Sequence, residues 1–167
     1  MKEIFVRLDR CVGCKSCEMA CAVEHSGSKT LFGALAEKPV PRRRLYIEQA
    51  DGHKVPMVCR HCEDAPCVMV CRTGAMSQNA ITRVVSRDQE KCVGCWMCAM
   101  TCPYGVIGRQ KEARIAVKCD LCPDLDEPAC VKACPTGTLV FAEEEEFVEL
   151  LRMDAASKLV KAQMGRA

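Results

Sequence analysis

Aromatic side chains are scarce in this chain, with one Trp, two Tyr and four Phe in 167 residues. So few large apolar groups make a thin core for that length, and something besides apolar burial has to help hold it. No apolar stretch approaches the eighteen or so residues needed to cross a bilayer, so no membrane span is expected. The opening segment, Met1-Lys2-Glu3-Ile4-Phe5-Val6-Arg7, lacks an apolar h-region and a cleavage site. No secretory signal is expected from it, and a cytoplasmic location is the default expectation. There is no G-x-G-x-x-G and no P-loop, which removes two routes to nucleotide chemistry. An excess of one charge is also missing, with 24 Lys and Arg against 22 Asp and Glu. Nucleic acid is therefore not an expected partner.

What the chain has in abundance is cysteine, sixteen in all. That number admits a disulfide scaffold, a zinc protein or an iron–sulfur protein, and a reducing compartment disfavours the first. Spacing separates the other two. The cysteines fall into four groups of four. Cys11, Cys14, Cys17 and Cys21 have C-x2-C-x2-C-x3-C spacing, and Cys92, Cys95, Cys98 and Cys102 repeat it. Cys59, Cys62, Cys67 and Cys71 widen the middle gap to four residues, and Cys119, Cys122, Cys130 and Cys134 widen it to seven. Structural zinc sites take two C-x2-C pairs parted by a longer spacer. A third cysteine only three residues after the second is instead the bacterial iron–sulfur run, in which three thiolates wrap one [4Fe–4S] cluster and the fourth reaches the other cluster of a pair. Four such motifs predict four [4Fe–4S] clusters in two mutually laced pairs, with iron as the metal and all sixteen cysteines as ligands. Sixteen thiolates against four doubly positive cores would carry the protein to a net charge of roughly −6. A zinc-stabilised interaction module is the remote alternative.

The remaining pattern supports an α+β chain of short strands and short helices alternating around metal. Strand-like runs occur at Ile4 to Leu8, Arg44 to Glu48, Ile81 to Val85, Arg114 to Val117 and Thr138 to Phe141. Three motifs end in C-x-x-G, placing Gly74, Gly105 and Gly137 where a short helix turns into a strand. Gly13 and Gly94 are expected to keep two cysteine loops open to backbone approach. Pro103 and Pro135 match the C-P ending of the bacterial run. The segment from His25 to Pro56 reads as an extended surface connection, and its Arg42-Arg43-Arg44 run as a solvated loop or a steering patch for an acidic partner. From Glu143 the pattern becomes helical, with Phe147, Leu151, Ala155 and Leu159 on one face. His25, His53 and His61 are not expected to be ligands, since complete coordination by four thiolates is the norm. Trp96 and Met97, between Cys95 and Cys98, are read mainly as packing.

These four motifs, in this order and with insertions in the second and fourth, resemble the four-cluster ferredoxin-like electron-transfer subunits that accompany large metalloenzymes. These include the small subunits of formate dehydrogenases, hydrogenases and dimethyl sulfoxide reductases. The resemblance covers about residues 1 to 142 and implies that the first motif pairs with the fourth and the second with the third. It implies two bacterial-ferredoxin-like cluster-binding halves: residues 1–55 with 108–142, and an inserted 56–107. Residues 143–167 would add a C-terminal amphipathic helix for docking or oligomerisation. The implied ligand sets are Cys11, Cys14, Cys17 and Cys134; Cys119, Cys122, Cys130 and Cys21; Cys59, Cys62, Cys67 and Cys102; and Cys92, Cys95, Cys98 and Cys71.

More narrowly, the stretch from Cys21 to Ser26 and from Ser28 to Leu31 is similar to the carbon monoxide dehydrogenase-associated ferredoxin and to the small subunit of tungsten aldehyde oxidoreductases. The resemblance implies a non-catalytic subunit carrying electrons between a catalytic metalloenzyme subunit and a downstream acceptor such as a flavoprotein, hydrogenase or ferredoxin. Other copies of the chain are a further expected partner. The alternatives within this class are the electron-transfer subunit of a molybdenum or tungsten formate dehydrogenase or hydrogenase, and a free polyferredoxin.

Overall fold

The computed structural model describes residues 1–165. The chain folds into eight short strands in four separate antiparallel pairs, with six α-helices and one 3-10 turn, Leu8–Arg10, among the described residues. It is an α+β fold, as expected. Strand β1 (Glu3–Val6) pairs with β8 (Leu139–Ala142), so the two ends of the cysteine-bearing region close on one another. Helix α1 (Ser16–Glu24) packs against α5 (Ala129–Lys132) beside that ribbon. Ile4, Leu45, Val58, Leu121, Val131 and Leu139 form an apolar cluster there, together with Cys17, Cys21 and Cys130.

A second cluster lies around α3 (Pro66–Met69) and α4 (Met97–Thr101), which pack on each other. Strand β4 (Met76–Gln78) pairs with β5 (Val85–Arg87), and β6 (Gly108–Gln110) with β7 (Ile115–Val117). Ala65, Met76, Val85, Ile107 and Ala116 are buried together there with Cys67 and Cys98. In both clusters cysteine takes the place that large apolar side chains occupy elsewhere, which is how so few aromatics suffice.

Several expected elements are moved or replaced. The segment from His25 to Pro56 is not one extended connection. It holds helix α2 (Leu31–Ala36), whose first turn is capped by Thr30 Oγ1 accepting from the Gly33 amide, and the hairpin β2 (Tyr46–Ala50) to β3 (His53–Met57). The hairpin turns at Asp51 and Gly52, both in the left-handed region, which is the Asp-Gly signature of a tight two-residue turn. Ile81 to Val85 is a turn rather than a strand. Asn79 Oδ1 accepts from the amides of Ile81 and Thr82, so a local side-chain bond outcompetes the ladder, and pairing begins only at Val85.

The C-terminal helix, α6 (Glu144–Met164), starts with a capping box between Glu143 and Glu146. Residues 166 and 167 of the expected segment lie outside the described residues. The packed face is not the expected stripe. Phe147 stacks on Phe5 with ring centroids 4.4 Å apart, and Asp154 two turns on pairs with the buried Arg7 and with Arg10. Leu151 and Leu159 face solvent, as do Met153, Val160 and Met164. Contact with the body runs through the Phe147 ring, the Asp154 carboxylate and a longer Lys158–Asp9 pair at 3.8 Å. No helix among the described residues is long and apolar enough to cross a membrane.

Candidate metal centre

All four cysteine motifs use one local device. The third cysteine of each, Cys17, Cys67, Cys98 and Cys130, is the second residue of a short helix, α1, α3, α4 and α5 respectively, and each is buried. Entry to the helix differs with the spacing. In the two closely spaced motifs the residue before the helix, Lys15 or Trp96, adopts a left-handed conformation that folds the loop tightly back. In the two widened motifs the entry is extended and uses proline, with Pro66 at the first helical position and Pro128 just before it. After the fourth cysteine, Gly74, Gly105 and Gly137 all have φ near +60°, and each amide returns to the carbonyl of the cysteine three residues before it.

The glycine inside the first cysteine gap has a different neighbour in each closely spaced motif. A Cβ on Gly94 would lie 2.2 Å from the backbone oxygen of Arg114, in the turn between β6 and β7. A Cβ on Gly13 would meet only the side chain of Lys54.

The structure brings cysteines together across motifs. Cys11, Cys14 and Cys17 line one cavity with Cys134, closed by Ile47, Pro56 and Leu139. Cys59, Cys62 and Cys67 line another with Cys102, closed by Val85, Val106 and Ile107. Cys21, Cys119 and Cys130 meet in the first apolar cluster, and Cys122 is close enough that its charge, after burial and those of Cys119 and Cys21, further raises the Cys130 thiol. Cys71 and Cys92 pack beside Cys98 in the second cluster, while Cys95 stands exposed at its rim. All sixteen are free rather than paired as disulfides.

Backbone amides already point at several sulfurs. Thr138 N–H donates to Cys134 Sγ at 3.3 Å, Met76 N–H to Cys71 Sγ at 3.4 Å, and Arg44 N–H to Cys21 Sγ at 3.3 Å. Each recipient is the fourth cysteine of its motif. Ala116 N–H donates to Cys92 Sγ at 3.5 Å. Burial opposes ionisation of Cys134, but the Leu139 amide, the Thr136 hydroxyl and amide and the Thr138 amide outweigh it and bring the thiol down to about 7. At Cys17 and Cys98 burial dominates instead and pushes the thiols up to about 11. Buried thiols that resist ionisation in the free protein are thus set beside amide-stabilised ones. Thiols converging on shared cavities, with N–H groups aimed at sulfur, are the donor chemistry that a [4Fe–4S] cluster requires.

Two polar features around the cysteines were not anticipated. The basic run is not a free loop. Arg44 forms a half-buried ion pair with Asp120, and Arg43 lies over the Tyr46 ring at 4.9 Å and pairs with Glu18. Asp120 also accepts from His25 Nε2 at 3.2 Å, while His25 Nδ1 donates to the Cys21 carbonyl at 2.7 Å. Burial works against a charged His25, but its bonds to Asp120, Cys122 and Cys21 carry it up to about 11, so both ring nitrogens are donors at neutral pH. The second feature is Lys118, buried between β7 and Cys119. The only hint in the sequence is their position: Lys118 and Asp120 flank the first cysteine of the fourth motif.

A fold of short strand pairs and short helices carrying four cysteine quartets defines an iron–sulfur protein. Comparison with known proteins agrees. The model of a 4Fe-4S dicluster domain matches residues 51–144, and that of a 4Fe-4S binding domain matches residues 8–24. An "Iron-sulfur protein" of Rhodospirillum rubrum is 36% identical over 176 residues, covering 95% of this chain and 91% of that one. "Electron transport protein HydN" of Escherichia coli (strain K12) is 34% identical, covering 88% and 91%. "Thiosulfate reductase electron transfer subunit PhsB" of Salmonella typhi is 33% identical, covering 95% and 83%. The chain belongs to the 4Fe–4S electron-transfer subunit family, which is the resemblance its motifs carry.

Proposed function

We propose that this chain is the electron-transfer subunit of a carbon monoxide dehydrogenase or a tungsten aldehyde oxidoreductase, holding four [4Fe–4S] clusters and passing electrons to a downstream flavoprotein, hydrogenase or ferredoxin. The observation that carries the four-cluster reading is the crossing of motifs within single cavities: Cys134 joins Cys11, Cys14 and Cys17, and Cys102 joins Cys59, Cys62 and Cys67. The other two ligand sets follow by the same lacing, Cys21 with Cys119, Cys122 and Cys130, and Cys71 with Cys92, Cys95 and Cys98. On this reading residues 1–55 with 108–142 form one half and residues 56–107 the other, with the β6–β7 hairpin of the first packing on the second through Ala116. When bound, the clusters supply reversible one-electron chemistry. The protein's own part is to hold the sulfurs in place, to direct the Thr138, Met76, Arg44 and Ala116 amides onto them, and to exclude water with Val85, Val106, Ile107 and Leu139.

The narrower choice of partner is supported by the similarity of the stretch from Cys21 to Leu31. Mixing the oxidised, iron-loaded protein with each purified catalytic enzyme and its substrate tests it. Bleaching of the visible absorbance by carbon monoxide or by an aldehyde, in the presence of the matching enzyme only, is the expected result. Bleaching by formate or hydrogen with their enzymes instead would transfer the assignment to the alternative subunit class.

Helix α6 is the proposed docking element for the catalytic subunit. Its body-facing side is satisfied by Phe147 and Asp154, and its remaining apolar residues are exposed. A chain ending at Glu143 is expected to keep its iron but to lose co-purification with the catalytic subunit. Unchanged co-purification and turnover would remove this role from the helix, and a change from dimer to monomer alone would reassign it to contact between copies.

A further inference from the structure

Lys118 is 4% exposed, and its ammonium donates to the carbonyl of Val85 at 2.7 Å and to that of Cys119 at 2.8 Å. Among the described residues no carboxylate pairs with it. Asp120, two positions on, is engaged by Arg44 and His25. Two carbonyl dipoles alone are poor compensation for a buried full charge, and lysine is almost never fully buried without a partner. The compensation has to come from another anion.

Two groups of thiols flank the ammonium. On one side it lines the cavity shared by Cys59, Cys62, Cys67 and Cys102. On the other it adjoins Cys119 in the chain and bonds its carbonyl. Cys59 and Cys119 are close neighbours, so the two quartets adjoin. The buried histidine at this junction is neutral. His61 Nδ1 accepts from the Val85 amide at 3.0 Å and so carries no proton, which leaves this buried ring uncharged. Val85, 1% exposed, is thus pinned at its amide by His61 and at its carbonyl by Lys118, which fixes the ammonium in place.

We propose that Lys118 is a fixed counter-charge shared by the Cys59, Cys62, Cys67, Cys102 site and the Cys119, Cys122, Cys130, Cys21 site, and that it raises the reduction potentials of the two carriers held there. The inference rests on the ligand sets proposed above. Its physical basis is that a buried positive charge in a poorly screened interior favours the state with one more electron on either side of it. Lys118 acts through the bound groups rather than on a substrate, so it is a positioning and tuning residue.

The test is a potentiometric titration followed by EPR on iron-loaded wild type, Lys118→Met and Lys118→Arg, with iron and sulfide measured on each sample. The expected result is that Lys118→Met lowers two of the four reduction midpoints and leaves the other two in place, while Lys118→Arg, which keeps the charge, leaves all four near wild type. Failure of Lys118→Met to take up iron, with normal loading and midpoints for Lys118→Arg, also supports a requirement for the charge. A fully loaded Lys118→Met with four unchanged midpoints overturns the proposal, as does equal loss of iron in both variants, which would make side-chain shape the determinant. Wild type that binds zinc without sulfide would refute the ligand sets themselves, a result separate from any of these.

Discussion

Replacing Cys134 with serine is expected to remove one quarter of the bound iron, from about sixteen atoms per chain to about twelve, and to break electron passage. Cys134 lies in the cavity of the first motif although it belongs to the last, and its thiol is lowered to about 7 by the amides and hydroxyl gathered around it. Serine keeps the shape but offers a harder oxygen that remains protonated, so the Cys11, Cys14 and Cys17 site would be left with three thiolates. The pairing makes a sharper expectation for double variants. Adding Cys11→Ser to Cys134→Ser should cost no further iron, because both act on one site. Adding Cys119→Ser should take the content to about eight. The reverse order of losses, with Cys134 and Cys119 behaving as one unit, would show that the motifs bind separately and are not laced.

Gly94→Ala is expected to be far more damaging than Gly13→Ala, although the two glycines occupy the same place in two identically spaced motifs. Both have φ near +70°, so alanine at either carries a left-handed strain of about 1–2 kcal/mol. At Gly13 the added methyl meets the Lys54 chain, which turns aside, and the cost ends near that figure. At Gly94 it meets the Arg114 carbonyl carbon and oxygen, backbone atoms of the tight turn, closed by the Arg114 N–H to Lys111 carbonyl bond, that joins paired β6 and β7. The hairpin and the cysteine loop cannot both keep their positions. Thermal denaturation of the loaded proteins should show a shift of a few degrees for Gly13→Ala. For Gly94→Ala it should show a much larger loss, accompanied by loss of iron from the Cys92, Cys95 and Cys98 loop. Equal small shifts for both would mean that the hairpin yields freely.

The cysteine spacing made the centre legible because metal geometry constrains the backbone locally. The spacing from Cys14 to Cys17 and from Cys95 to Cys98 marked a loop wrapping one cluster, and the structure builds that loop as a left-handed turn followed by a buried thiol in a helix's first turn. The turn glycines were legible for a similar reason, since Gly74, Gly105 and Gly137 need positive φ. What escaped was non-local or competitive. The capped helix after Thr30 and the Asp51-Gly52 hairpin both lie in a segment whose prolines and arginines suggested an extended path. At Ile81 the apolar run was real, but Asn79 captured two amides and left Ile81 91% exposed. Along α6 a four-residue apolar spacing pointed to one face, whereas the contact was decided by the distant partners Phe5, Arg7 and Arg10. Lys118 and Arg44 look like surface cations in the sequence, and only the fold buries or pairs them.

Chemical analysis of anaerobically purified protein for iron, acid-labile sulfide and zinc, with EPR after reduction, tests the central claim most directly. About sixteen iron and sixteen sulfide per chain, with interacting S = 1/2 signals on reduction, is the result expected of four [4Fe–4S] clusters. About eight of each would leave only two clusters and contradict the proposed ligand sets, and stoichiometric zinc without sulfide would contradict electron transfer by this chain altogether.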